Sequence, residues 1–114
     1  MPPDDLLRMR HMLDAAREAT SLTAGKSRSD LDRERTLALA LVKLIEILGE
    51  AASRVTERGR QAHPAIPWRD IVAMRNRLIH GYFDIDLDRV WDTVTDDLPP
   101  LVAALEAALS STGP

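Results

Sequence analysis

Apolar positions recur at helical spacing along almost the whole chain, and no stretch alternates between apolar and polar residues as a half-buried strand would. Leu6, Met9, Leu13 and Ala16 share one face of a first helix, which Asp4 or Asp5 can cap. The run Gly25-Lys26-Ser27-Arg28-Ser29 is a loop, and Ser29 or Asp30 caps a second helix. That helix carries two adjacent apolar stripes. One is Leu37, Leu41, Leu44, Leu48, Ala51 and Val55; the other is Ala38, Val42, Ile45, Gly49 and Ala52. Two stripes predict burial on more than one side, and the small residues of Gly49-Glu50-Ala51-Ala52-Ser53 invite close approach by another helix. Self-association follows as an expectation. The second helix should fray near Gly59, and His63-Pro64-Ala65-Ile66-Pro67 is a loop.

Pro67 suits the first turn of a third helix, whose buried side is Ile71, Met74 and Leu78 with Val72 and Ile79 beside it. Gly81 should end it. A fourth helix begins near Asp86 with aspartates in its first turn. Its apolar residues Leu87, Val90, Val94, Leu98, Leu101, Leu105 and Ala108 keep phase across Pro99-Pro100, so the prolines read as a kink in one long element. The expected fold is all-α, a four-helix bundle with a kinked C-terminal helix.

Length allows one domain, residues 1–114, large enough for its own core. The chain has no cysteine, which excludes disulfides, thiolate metal sites and cysteine nucleophiles, and suits a reducing compartment. The start Met1-Pro2-Pro3-Asp4-Asp5 is acidic where a secretory signal is basic, and Lys43 and Glu46 interrupt the most apolar segment. A soluble cytoplasmic protein is expected. With four aromatics and a net charge of −3, neither a stacking sheet for RNA nor a broad basic surface for DNA is available. Residues 1–60 balance at +1 and residues 61–114 at −4, with six aspartates between Asp84 and Asp97. An anionic ligand must therefore be met by a few local arginines.

Met74-Arg75-Asn76-Arg77-Leu78-Ile79-His80-Gly81-Tyr82 supplies them. On that helix Asn76 and His80 are four apart and share a face, and Arg75 can reach round to His80. Histidine moves protons near neutral pH and arginine binds a phosphate and its developing charge, which suits phosphodiester cleavage. RNA brings its own nucleophile, the 2′-hydroxyl, so such a site needs no metal, and no metal cluster or cofactor motif is evident. Spacing alone leaves bland roles open: His80 as a cap, Asn76 bonding its own turn, Tyr82 as an anchor over the bundle end. Trp68 and Trp91 read as core. His11 among charges and His63 before a proline are assigned no function.

The wider segment resembles the HEPN superfamily, specifically the HepT-like toxins of toxin–antitoxin modules. The resemblance rests on Glu46–Ala51, Ile66–Ile71, Met74–Phe83, Asp86, Val90-Trp91 and Leu98-Pro99, about two-thirds of the chain, with Arg-Asn-x-x-x-His-x-Tyr its most specific part. Ala73 stands where many relatives are expected to have glycine. The resemblance implies a HEPN-type dimeric bundle and a metal-independent endoribonuclease, in which two subunits bring their Arg-x4-His segments into one cleft. Arg75 would stabilise the phosphate, His80 would be the general acid/base, and Asn76 would hold the imidazole or phosphate. Arg77 and Arg69 are candidate secondary RNA contacts. The resemblance also implies a type VII-like toxin whose partner, a minimal nucleotidyltransferase (MntA-type) antitoxin, silences it by adenylylating Tyr82. A HEPN subunit that binds nucleotide or substrate for such a partner, without cutting, is the alternative.

Overall fold

Burial of the two stripes on the second predicted helix organises the molecule. A computed structural model describes residues 2–80 and 84–111, and all of its regular elements are helical. They are α1 (Pro3–Thr23), α2 (Asp30–Arg33), α3 (Arg35–Ser53), α4 (Glu57–Ala62), α5 (Trp68–Leu78), α6 (Leu87–Asp92), a π turn (Thr93–Asp97) and α7 (Leu98–Ser111). The all-α expectation holds. The count of four does not, because two of the expected helices are broken into shorter pieces.

The centre is α3, packed by α1 on one side and α5 on the other, while α7 lies along α1. Leu41, Ile45 and Leu48 are sealed in one cluster with Met9, Met12, Ile71, Leu78, Val90, Val94, Leu98 and Leu105. Ala38, Val42, Gly49 and Ala52 are buried as well. Both stripes are thus covered within one chain, so they do not by themselves call for a second copy. The close approach foreseen at Gly49 is also internal: a Cβ there would lie 3.3 Å from the carbonyl oxygen of Ile71 in α5.

Local chemistry explains the breaks. Neither Asp4 nor Asp5 caps α1, whose N-cap Pro2 makes no side-chain bond. Asp5 is buried instead, accepting from the Thr56 amide at 3.0 Å and the Thr56 hydroxyl at 2.5 Å. This ties the start of α1 to the turn after α3, and a Cβ on Gly59 would collide with that carboxylate. Thr56 also accepts from the Gly59 amide, which starts α4 where the sequence suggested only fraying. Arg60 donates back to the Ala52 and Val55 carbonyls and closes the end of α3. At the other end of α3, neither Ser29 nor Asp30 caps in the expected way. Asp30 accepts from the Ser27 amide, which holds its carboxyl below the usual range, and Glu34 leaves helical geometry between α2 and α3.

The helix expected to begin near Asp86 does so, and Asp86 is its cap, accepting from the Arg89 amide at 3.0 Å. The long element after it keeps its register, with Val90, Val94, Leu98, Leu101, Leu105 and Ala108 buried. Pro99 and Pro100 cannot donate to the carbonyls one turn before them. The helix answers with a π turn just upstream, in which the Leu98 amide reaches back to the Thr93 carbonyl. No helix among the described residues is long and apolar enough to cross a membrane.

Candidate active site

The site forms where α5 ends against α3. Trp68 anchors the start of α5: it is buried, and its indole N–H donates to the carbonyls of Arg60 and His63. Ile71, Met74 and Leu78 then face the core, which turns Arg69, Val72, Arg75 and Asn76 outward. In the last turn, Arg75 Nε donates to Glu46 Oε1 of α3 at 3.2 Å. Among the described residues only Nε is used, which leaves the guanidinium's terminal nitrogens for a ligand. Arg77 pairs with Asp70 at 3.3 Å on the same helix. Asn76 is exposed and makes no side-chain hydrogen bond among the described residues.

His80 is not on the helix. The chain leaves helical geometry at Ile79, whose φ of −122° and ψ of 121° are extended. Ile79 pairs antiparallel with Ile85, the His80 amide donates to the Asp84 carbonyl at 2.7 Å, and the Asp86 amide donates to the Leu78 carbonyl at 2.7 Å. Ile79 and Ile85 both pack against the core, and that pairing outweighs one further helical turn. The expected Asn76–His80 face therefore does not exist. His80 instead lies two residues beyond the helix, its backbone held by the bond to Asp84. Its imidazole is exposed, with Nε2 3.8 Å from Asp86 Oδ2, an ion pair when the ring is protonated. Gly81 and Tyr82, expected as helix stop and modification site, lie outside the described residues.

The structure thus puts Arg75 and His80 at the same end of α5, each beside a carboxylate. Those carboxylates, Glu46 and Asp86, are site residues that the spacing argument did not identify, although both lie in the segments carrying the family resemblance. Arg69 is exposed on α5 without an ion pair among the described residues, and His63 contributes a carbonyl to Trp68. No group of three or more His, Asp and Glu side chains converges as a metal site among the described residues.

Comparison with known proteins decides the family. A family model described as ribonuclease HepT-like matches residues 12–108. The chain belongs to the HepT-like ribonuclease family. Among its relatives is a protein named "Probable ribonuclease HepT" from Thermococcus cleftensis, 37% identical over 73 residues, covering 64% of this chain and 66% of that one. A protein provisionally named an RNase from Caldanaerobacter subterraneus subsp. tengcongensis is 31% identical over 93 residues, 82% of this chain and 83% of its own. Another so named, from Methanocaldococcus jannaschii, is 30% identical over 95 residues, 83% and 87% of the two chains. No solved structure matches. Membership places this chain among endoribonucleases, and the segment from Arg75 to His80 falls inside the HepT-like match.

Proposed function

We propose that this HepT-like chain is a metal-independent endoribonuclease toxin, active as a homodimer through Arg75 and His80 and silenced by AMP transfer to Tyr82. The observation that carries the reading is what the end of α5 presents: an arginine whose terminal nitrogens make no hydrogen bond among the described residues, and an exposed histidine beside a carboxylate. His80 takes the proton of the ribose 2′-hydroxyl, the 2′-oxygen bonds to phosphorus, and the bond to the 5′-oxygen breaks. The leaving oxygen receives a proton, leaving a 2′,3′-cyclic phosphate and a 5′-hydroxyl. In a two-fold dimer one copy's His80 can take the proton while the other's gives one. Arg75 faces the phosphate, whose charge grows during the transfer. Asp86 steadies the imidazolium, and Asn76 is free to bond the phosphate. The exposed Val72 of α5 and Leu39, two turns before Glu46 on α3, offer apolar surface for the second copy beside the site.

His80→Ala and Arg75→Ala should each lower RNA cleavage by at least about a hundredfold, with helical content and dimer mass unchanged by circular dichroism and light scattering. Cleavage should persist in EDTA. Wild-type rates in folded His80→Ala protein would refute the assignment, as would loss in EDTA restored by a divalent ion. RNA bound but never cut would favour the non-catalytic subunit instead.

A further inference from the structure

A groove of about 420 Å³ runs from Arg75 across α3 to the outer face of α1. Its lining includes Arg8 and His11 of α1 and Lys43, Ile47 and Arg54 of α3. Four side-chain cations, counting Arg75, meet two carboxylates there, Glu46 and Glu50, in a chain whose net charge is −3. Both carboxylates are already engaged: Glu46 by Arg75 at 3.2 Å and Glu50 by Arg54 at 2.9 Å. Arg8 and Lys43 are left without a carboxylate partner among the described residues; Lys43 is exposed and Arg8 half-buried. Between them Ile47 is 39% exposed, a large apolar side chain set in a ring of charge. From Lys43 to Arg54 the groove follows α3 for roughly 16 Å of helix axis. Cations flanking an apolar floor fit a single strand, whose phosphates track the cations while an unpaired base covers the floor.

We propose that this groove is an RNA-binding tract that seats the nucleotides on one side of the scissile bond, with Arg8 and Lys43 holding backbone phosphates. The proposal rests on the ribonuclease reading and extends it: the preferred substrate is an unpaired RNA several nucleotides long, not a minimal phosphodiester. Arg75 is the hinge between the two, lining the groove and ending at the site.

The test uses the whole chain, Arg8→Gln/Lys43→Gln, and two substrates: an unstructured RNA of about a dozen nucleotides and a dinucleoside monophosphate. KM for the longer RNA should rise on the order of tenfold, while kcat and cleavage of the dinucleoside monophosphate stay as in the wild type. The dependence of log K on log salt should flatten by about 1.4, two single-strand phosphates at ~0.7 each. Arg8→Lys/Lys43→Arg, which keeps both charges, should restore KM. Unchanged KM and salt slope in the double variant would overturn the tract. Equal losses on both substrates would also overturn it, since that would place the residues at the chemistry. If the wild-type protein cuts neither substrate, the ribonuclease reading fails, yet fluorescence anisotropy of the labelled RNA still judges the groove: weaker binding by the variant supports it, and equal binding ends it. A change of oligomeric state in the variant would assign the groove to a second copy of the chain and overturn RNA as its occupant.

Discussion

Glu46 holds Arg75, the arginine that the proposed mechanism sets against the phosphate, with a charge that would compete with that phosphate. Its carboxylate accepts from Arg75 Nε at 3.2 Å while remaining partly open to water. An ion pair this exposed is worth only about 0.2–1 kcal/mol. A phosphate can therefore share or displace it at small cost. Position and competition can be separated by substitution. Glu46→Gln keeps an acceptor at Oε1 but removes the charge, so kcat should stay near wild type and KM for RNA should fall by up to about fivefold. Glu46→Ala removes the acceptor too and lets the guanidinium swing, so kcat should fall on the order of tenfold. Steady-state kinetics on one RNA would show the split. Identical kcat in all three proteins would mean that Glu46 does not position Arg75.

At the scale of elements, the contact between α3 and α5 sets where Arg75 stands. The two backbones meet at Gly49, where a Cβ would sit 3.3 Å from the Ile71 carbonyl oxygen. Gly49→Val adds a branched side chain against a helix backbone that cannot rotate away, and overpacking of this kind costs about 1–3 kcal/mol. Urea denaturation should show that loss. Cleavage by the folded fraction should drop as well, because α5 must move off α3 and draw Arg75 from Glu46. Full stability in Gly49→Val would disprove the close packing. Much of this element layer was legible in the sequence. The phase of Val90, Val94, Leu98, Leu101 and Leu105 survives the prolines, and Asp86 caps α6. What escaped were decisions made by distant partners. Asp5 reads as an N-cap until Thr56, 51 residues away, claims its carboxylate. Ile79 reads as helix until Ile85 pairs with it and takes His80 off the α5 surface. Periodicity reports which face is apolar, not which partner will cover it; so the doubled stripe on α3 suggested a second chain where α1 and α5 suffice.

For the whole molecule the decisive quantity is local charge. The chain is acidic overall, and its C-terminal half most of all, so the proposed function leaves the drawing in of RNA to the few arginines near α5 and the groove beside them. Such a site can be switched off by one added phosphate. Tyr82 is two residues from His80 in the sequence, within about 7 Å of backbone reach. In the proposed control step its phenol oxygen attacks the α-phosphorus of ATP, pyrophosphate leaves, and the phenolic proton is lost. The tethered AMP then carries a negative phosphate beside His80. Arg75, whose terminal nitrogens make no hydrogen bond among the described residues, can bind that phosphate in place of the substrate's. Tyr82→Phe removes the acceptor oxygen and should still fold and cut RNA. Incubated with the partner nucleotidyltransferase and ATP, the wild-type chain should gain the mass of AMP and lose cleavage in proportion, while Tyr82→Phe gains nothing and keeps cutting. Intact-mass spectrometry alongside the cleavage assay reads both quantities from one sample. An AMP adduct that maps to another residue, or a fully modified protein that still cuts at the wild-type rate, would sink the switch.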